Sequence, residues 1–448
     1  MTQKQEAIAK GVDTKVVLLY YALVFIGLLA IFSVEYRSPD PVLQSLLDFK
    51  KNYSKQLLFI GVSSVVALII LLIDSKFFTT VANLLYFFGL LLMLLTFVIG
   101  KDISGSRSWI AMGGGFNLQP AELCKIFTSL ALAKYLSRQE TQFKNTRAYL
   151  IGIAIVLIPS LMAVAQKEVG LALVYFSFFL VMFREGLPAS YLLVGFSAIV
   201  VLIAAILLPT LGFITVILIA GGLVLLYPNQ RYKRKGKLLL IVISISIACI
   251  AFKLFALSTL FDKVLKPHHS ARVYALFGLN YEPKDPVRIA ELKKREAEKG
   301  KKDVTYNVKQ SKIAIGSGGF LGKGFLKGVS TQGDFVPEQH TDFIFTALAE
   351  SFGFWGSALL LLLYFLLLYQ IIVIAERQRS TFSRVYAYSV ACILFFHVFI
   401  NICMTIGLMP VIGITLPLLS YGGSSLLTFT VLIFIMLRFD ANRQMVLR

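Results

Sequence analysis

Residues 342–374 read DFIFTALAESFGFWGSALLLLLYFLLLYQIIVI, an apolar run nearly free of charge. At about 1.5 Å per residue it is long enough to cross the roughly 30 Å hydrocarbon core of a bilayer as a helix. Comparable runs lie near 16–35, 56–74, 78–100, 119–137, 147–165, 169–184, 190–208, 210–227, 237–260, 384–408 and 413–438, which makes twelve in all. The spacing predicts an all-α fold, a polytopic transmembrane helix bundle of about twelve helices. The alternating short strands of a membrane β-barrel are not evident.

Composition agrees with this. Hydrophobic residues make up 57% of the chain and charged residues 15%, against about a quarter charged in soluble domains. The first run, Val16 to Ser33, follows Lys4, Lys10 and Lys15 in the manner of a signal peptide. It is long enough to span and no small-residue cleavage site follows, so it is expected to be retained. A net charge of +20 raises the question of nucleic acid. No basic, aromatic-interleaved soluble segment supports that, and basic cytoplasmic loops facing anionic membrane lipids account for the charge. Cys124, Cys249, Cys392 and Cys403 fall inside apolar runs without metal-ligand spacing, so they are given no disulfide or metal role.

Short loops set the orientation. Lys134, Arg138, Lys144 and Arg147 flank one connection, Arg231, Lys233, Arg234, Lys235 and Lys237 crowd another, and Arg377, Arg379 and Arg384 fill a third. With twelve crossings all three are cytoplasmic, as are both termini, in keeping with the positive-inside rule. Arg37, Lys50, Lys51 and Lys55 dissent on an outer loop. The same count puts 101–118 and a large loop, 261–341, outside. That loop holds a charged insertion near 283–303 and a glycine-rich stretch, QSKIAIGSGGFLGKGFLKG (310–328). Such a stretch can lie on the membrane surface and bring backbone N–H groups close to a ligand. No internal repeat is evident, and 1–448 reads as a single membrane domain.

Four constellations could carry chemistry. Glu338, His340 and Asp342 stand where the tenth helix begins. Asp342 could cap that helix, or act as a general base at the membrane boundary, within reach of a lipid head group. Glu338 and His340 could tune it or help it hold a divalent cation. Arg107-Ser108-Trp109 is followed by Gln119-Pro120-Ala121-Glu122-Leu123-Cys124-Lys125. Glu122 and Lys125 share a helix face, as a structural ion pair or as part of a substrate groove. Trp109 could be an interfacial anchor. Gln166-Lys167-Glu168-Val169-Gly170 is a polar knot at an outer turn, either surface loop or cavity lining. Gly407, Pro410, Gly413 and Pro417, followed by Ser420-Tyr421-Gly422-Gly423-Ser424-Ser425, break a helix and free backbone groups to line a cavity. Each of these would also fit a transporter.

In order along the chain, SRSWI and QPAELCK (106–125), QKEVG (166–170), QSKIAIGSGGFLGKG (310–324), PEQHTDFIF (337–345), and Asn401 with GLMPVIG and PLLSYGGSS (401–425) resemble one family. It is the SEDS family of shape, elongation, division and sporulation proteins, the RodA/FtsW/SpoVE group, and the likeness covers nearly the whole chain. The resemblance implies a glycosyltransferase that polymerises lipid II, an undecaprenyl-diphosphate-linked disaccharide-peptide, into peptidoglycan glycan strands. It implies a multi-pass protein of the bacterial cytoplasmic (inner) membrane, with a class B penicillin-binding protein and other elongasome components as partners. By motif, Asp342 matches the essential loop aspartate and is expected to be the base. Glu122 and Lys125 match a cavity-lining pair and Trp109 a functional tryptophan, with Gln119 and Ser420 in the same motifs. Lys312, Lys323 or Arg107, with Mg²⁺ or Mn²⁺, would stabilise the departing diphosphate. IAIGSGGFLGKG points to the elongation branch rather than a division-specific polymerase, and a lipid II flippase is the main alternative. The chain departs from the pattern with Lys167 and Glu168 where Pro and Asp are usual, with helices near 210–227 and 237–260 beyond a usual ten, and with the insertion.

Overall fold

The computed structural model describes residues 11–37, 49–103, 106–111, 117–138, 146–226, 235–257, 259, 274, 285–290, 306–409 and 411–444. The chain divides into two compact units, Met1–Leu187 with Asn307–Arg448, and Pro188–Tyr306. The first unit opens with helices α1 (Thr14–Glu35), α2 (Asn52–Leu72), α3 (Ser75–Ile99), α4 (Pro120–Leu136), α5 (Thr146–Ala165), α6 (Val169–Tyr175) and α7 (Phe178–Arg184). The second unit holds α8 (Ala189–Leu207), α9 (Thr210–Leu226) and α10 (Lys235–Ala251). The chain then returns to the first unit with α11 (Tyr306–Gly318), α12 (Val329–Gln332), α13 (Ile344–Glu376), α14 (Thr381–Thr405) and α15 (Gly423–Ala441). Each of the twelve apolar runs is thus helical, and among the described residues seven helices are long and apolar enough to cross a membrane unaided.

Three details depart from expectation. The run 169–184 is two helices, interrupted at Phe176 and Ser177. The last helix begins at Gly423 rather than near 413, because Gly413 (φ 72°), Leu418 (φ 67°) and Gly422 (φ 150°) take conformations no helix contains, and Pro417 lacks an N–H. The short stretch 101–118 is not plain loop. It forms an antiparallel sheet of β1 (Lys101–Ile103), β2 (Ser106–Ala111) and β3 (Asn117–Leu118), in that order, with Lys101 opposite Trp109 and Ile110 opposite Leu118. Of the charged insertion, 285–290 carries a short helical turn and 291–303 lies outside the described residues.

α15 is the centre of the first unit, with 83% of its span buried against 22% for α2. Tyr20 of α1 bonds Thr430 of α15 at 2.7 Å in the interior. Higher on α1, Gly27 lets the helix press on the chain before α15; a Cβ there would stand 2.6 Å from Leu419 Cα and 2.8 Å from Leu418 O. One end of the unit is a lattice of charges. Arg377 binds Asp440 and, at 2.9 Å, Asp13, while Arg384 grips Glu185 through two bonds of 2.8 and 3.1 Å.

α13 carries the fold's sharpest irregularity. Gly353 sits at φ 65° and ψ −155°, so the helix breaks there. The loop after α11 fills the break. Phe354 N and Trp355 N donate to Gly319 O and Phe320 O at 2.9 and 3.3 Å, and Lys323 N and Gly324 N donate to Glu350 O and Ser351 O at 3.0 Å each. The glycines of this loop therefore serve close backbone contact. A Cβ on Gly322 would lie 2.2 Å from Ser351 O, and one on Gly318 would lie 2.3 Å from Ala349 O. The N–H groups of 323 and 324, expected to face a ligand, are consumed by α13.

In the second unit, α9 meets α10 at Gly221, where a Cβ would touch Val242 at 3.0 Å. Beyond α10 a wide turn, Phe252–Leu257, places Lys253 5.1 Å above the Phe213 ring with its amine donating to Leu208 O, the C-cap carbonyl of α8. A cation at a helix C-terminus is favourable.

Gly27→Val should destabilise the protein, by about 1–3 kcal/mol if it behaves as ordinary overpacking. Gly61→Ala, on an open face of α2 with nothing within 4 Å, should be neutral or stabilising. Thermal unfolding in detergent, read by exposure of buried cysteines, checks both.

Candidate active site

Asp342 lies in a tight turn just ahead of α13. Thr341 N and Phe343 N both donate to Glu338 O, at 3.2 and 3.3 Å, and Glu338 takes a left-handed φ of 53°. The N-cap of α13 is Phe343, with no side-chain bond, so Asp342 does not cap that helix. Three consecutive carbonyls of the turn are instead held from below. His340 O accepts from Tyr421 N at 2.9 Å, Thr341 O from Ser420 Oγ at 2.6 Å, and Asp342 O from Asn401 Nδ2 at 2.8 Å. The HTD segment is thus clamped by the SYGG segment and α14, two motifs far away in sequence.

The carboxylate itself is left available. No described residue donates a hydrogen bond to it, and Gly413 (φ 72°) turns its bare Cα face toward Oδ2, where a Cβ would stand 3.4 Å away. Burial, and then the negative charges of Glu338 and Glu168, push the Asp342 pKa up to about 7. Glu168 comes from the QKEVG turn between α5 and α6, where Lys167 takes φ 67°. Ser108 Oγ of β2 donates to Glu168 Oε1 at 2.5 Å, and Gly170 packs on the chain at Ile412 and Ile414. So SRSWI, QKEVG, EQHTDF and the C-terminal motif converge on one spot. Backbone strain gathers there too, as is common at functional sites.

The second constellation lies deeper. Glu122 Oε2 and Lys125 Nζ are 2.8 Å apart and almost wholly buried. Lys125 also meets His397 Nε2 at 2.7 Å and lies 5.3 Å above the Phe429 ring. Gln119, also buried, donates its N–H to Ser424 Oγ at 3.2 Å. In this arrangement the Glu122–Lys125 pair is enclosed by side chains and ties α4 to α14. Trp109 is half-buried on β2, while the side chain of Arg107 lies outside the described residues.

Of the lysines expected at the diphosphate, Lys323 is already engaged. Its ammonium binds Glu350 Oε1 at 2.9 Å, and Glu350 is a buried hub that also accepts from Ser330 N (2.9 Å), Thr331 N (2.8 Å) and Thr331 Oγ1 (2.7 Å). Lys312 is exposed and lies over Gly407. The sequence reading missed Glu350 and His397, although an ionisable residue inside an apolar run is itself a signal.

Among the described residues no group of three His, Cys, Asp or Glu side chains is arranged to hold a metal ion. Mg²⁺ is commonly held by one or two carboxylates plus substrate phosphates rather than by a protein cage. Glu338, exposed, and Asp342 suit that open arrangement, and no closed one.

Comparison with known proteins settles the family. The family model for the cell cycle proteins FtsW, RodA and SpoVE matches residues 13–212 and 194–445. The chain belongs to that family. The peptidoglycan glycosyltransferase MrdB of Escherichia coli K12 is 33% identical over 359 residues, which is 79% of this chain and 76% of MrdB. The peptidoglycan glycosyltransferase RodA of Treponema pallidum is 29% identical over 437 residues, 93% of this chain and 94% of its own. Among solved structures, a chain of a peptidoglycan synthase complex that coordinates polymerization and crosslinking superposes with TM-score 0.65 at 25% identity, over 96% of this chain and 98% of its own. The rod shape determining protein RodA of Thermus thermophilus superposes with TM-score 0.60 at 25% identity, covering 97% and 98%. As an FtsW/RodA/SpoVE protein, the chain is an all-α polytopic membrane protein, as its helices indicate.

If Asp342 is a base of this pKa, turnover should rise with pH through about 7 and level off above it, since only the carboxylate accepts a proton. Glu338→Gln removes one of the charges that raise the pKa, so the midpoint should move to lower pH. A pH–rate profile of both proteins checks the direction.

Proposed function

We propose that this chain is a peptidoglycan glycosyltransferase that polymerises lipid II at the outer face of the bacterial cytoplasmic membrane during cell elongation. Family membership and likeness to the peptidoglycan glycosyltransferases MrdB and RodA support the reaction class, and the IAIGSGGFLGKG stretch supports the elongation role. The observation that supports the site is the Asp342 carboxylate, which accepts no hydrogen bond from the described residues while three consecutive carbonyls beneath it are clamped.

The acceptor sugar hydroxyl gives its proton to Asp342 as its oxygen bonds to the anomeric carbon of the donor. The bond from that carbon to the diphosphate breaks, and undecaprenyl diphosphate leaves with the electron pair. A pKa raised to about 7 makes Asp342 a stronger base than an ordinary carboxylate, with a share of the molecules ionised at neutral pH that grows as pH rises. Burial, and then the charges of Glu338 and Glu168, raise that basicity. Lys312 and Arg107 are the cations proposed for the diphosphate, in place of Lys323. Mg²⁺ or Mn²⁺, held by Glu338 and Asp342, would neutralise diphosphate charge when bound.

The partner in this reading is a class B penicillin-binding protein, supported by the likeness to a chain of a synthase complex. Both chain termini are cytoplasmic. Arg377 and Arg384 mark that side, at the far end of α13 from Asp342, as the positive-inside rule favours.

Purified protein in lipid vesicles, given lipid II and Mg²⁺ with and without its cognate transpeptidase, should produce glycan chains, and Asp342→Asn should lower the rate at least about a hundredfold. Polymerisation unchanged in the variant would remove Asp342 from the mechanism, and lipid scrambling without polymer would favour a flippase. A cysteine at Thr341 should react with impermeant reagent from outside and one at Arg379 only from inside. The reverse labelling would place the site on the wrong face of the membrane.

A further inference from the structure

The mechanism above gives His397 of α14 no task, and Asn401 only the bond to Asp342 O. His397, Asn401 and Thr405 recur every four residues and so stack along one face of that helix. His397 and Asn401 are fully buried.

The hydrogen-bond chemistry of His397 has one solution. Lys125 Nζ lies 2.8 Å from Glu122 Oε2 and 2.7 Å from His397 Nε2. An ammonium offers only hydrogens, so Nε2 accepts and the ring proton sits on Nδ1. Nδ1 faces Thr415 O at 3.3 Å, and a carbonyl can only accept. A neutral imidazole with its proton on Nδ1 satisfies both contacts. One turn along, Asn401 Nδ2 donates to Ile414 O at 2.7 Å and to Asp342 O at 2.8 Å, and two carbonyl partners fix the orientation of the amide. Ile414 and Thr415 are neighbours on the extended segment that also carries Gly413, whose Cα face meets the Asp342 carboxylate. An ion pair, hydrogen bonds and one peptide unit thus connect Glu122, Lys125, His397, Thr415, Ile414, Asn401 and Asp342.

We propose that His397 and Asn401 are positioning residues for Asp342. They fix the segment around Ile414 and Thr415 to the buried Glu122–Lys125 pair, and through it hold the carboxylate where the acceptor hydroxyl arrives. This rests on the glycosyltransferase reading given above. Such residues act on the transition state more than on substrate binding, so their loss lowers kcat with little change in KM.

The test uses the full chain in vesicles with its cognate transpeptidase, lipid II and Mg²⁺, measuring kcat, KM and thermal stability together. His397→Leu fills the site but can neither accept from Lys125 nor donate to Thr415, and should lower kcat at least about tenfold with KM within about threefold. His397→Gln, with an acceptor and a donor of its own, should recover most of that loss. Asn401→Ala should lower kcat as His397→Leu does, and it carries the test if the leucine variant fails to fold. A leucine variant with reduced thermal stability but wild-type kcat per folded molecule would overturn the proposal, as would a glutamine variant no better than leucine, or a loss confined to KM. Wild-type protein that makes no glycan would take down the glycosyltransferase reading itself. Wild-type glycan synthesis lost in Asp342→Asn but indifferent to the α14 variants would overturn only the positioning roles.

Discussion

A helix that breaks within a bilayer needs another piece of chain to satisfy the backbone groups it frees. At Gly353 that piece is the loop 319–324, which exchanges four backbone hydrogen bonds with the two sides of the break. The arrangement tolerates little change, since a Cβ on Gly353 would stand 2.4 Å from Gly322 N. Much of the active-site architecture hangs on this join. Glu350, just before the break, gathers Lys323, Ser330 and Thr331. Thr331 O in turn receives the amide of Gln339, at 3.0 Å, inside the EQHTDF turn. The loop that carries Asp342 is thereby suspended from the helix it precedes.

Two opposite uses of charge follow the long axis of α13. Near its end, arginines meet carboxylates in pairs at bonding distance, as with Arg377 and Asp13 or Arg384 and Glu185. Ahead of its start, carboxylates are grouped with one another, and burial together with those like charges raises the Asp342 pKa. The first arrangement holds helices together. The second raises basicity, on a backbone fixed by Asn401, Ser420 and Tyr421.

Much of this was legible in the sequence. Long apolar runs have few structural alternatives in lipid, so all twelve emerged as helices, and the left-handed positions that delay α15 to Gly423 lie among glycines and a proline already marked as breakers. The turn of Asp342 was marked by its motif. What escaped was what depends on tertiary distance. Nothing local to 310–328 reveals that Gly318 and Gly322 face the backbone of 349–352 rather than a ligand. Lys323 reads as an available cation until Glu350, far along the chain, is seen beneath it. His397 is one polar residue in an apolar helix, and its meaning comes only from Lys125 on another. The sheet at 101–118 has strands too short for any alternation to be recognised.

The burial of α15 has a consequence for how the protein is made. The innermost helix of the first unit, α15, follows its neighbours α1, α2, α4 and α14 in the chain. The wall that α15 supplies is therefore added to helices that precede it in the chain. Insertion and packing are therefore separate events for this chain, and the Asp342 turn, which is held by Ser420 and Tyr421 just ahead of that helix, takes its final shape only once that segment has joined the bundle.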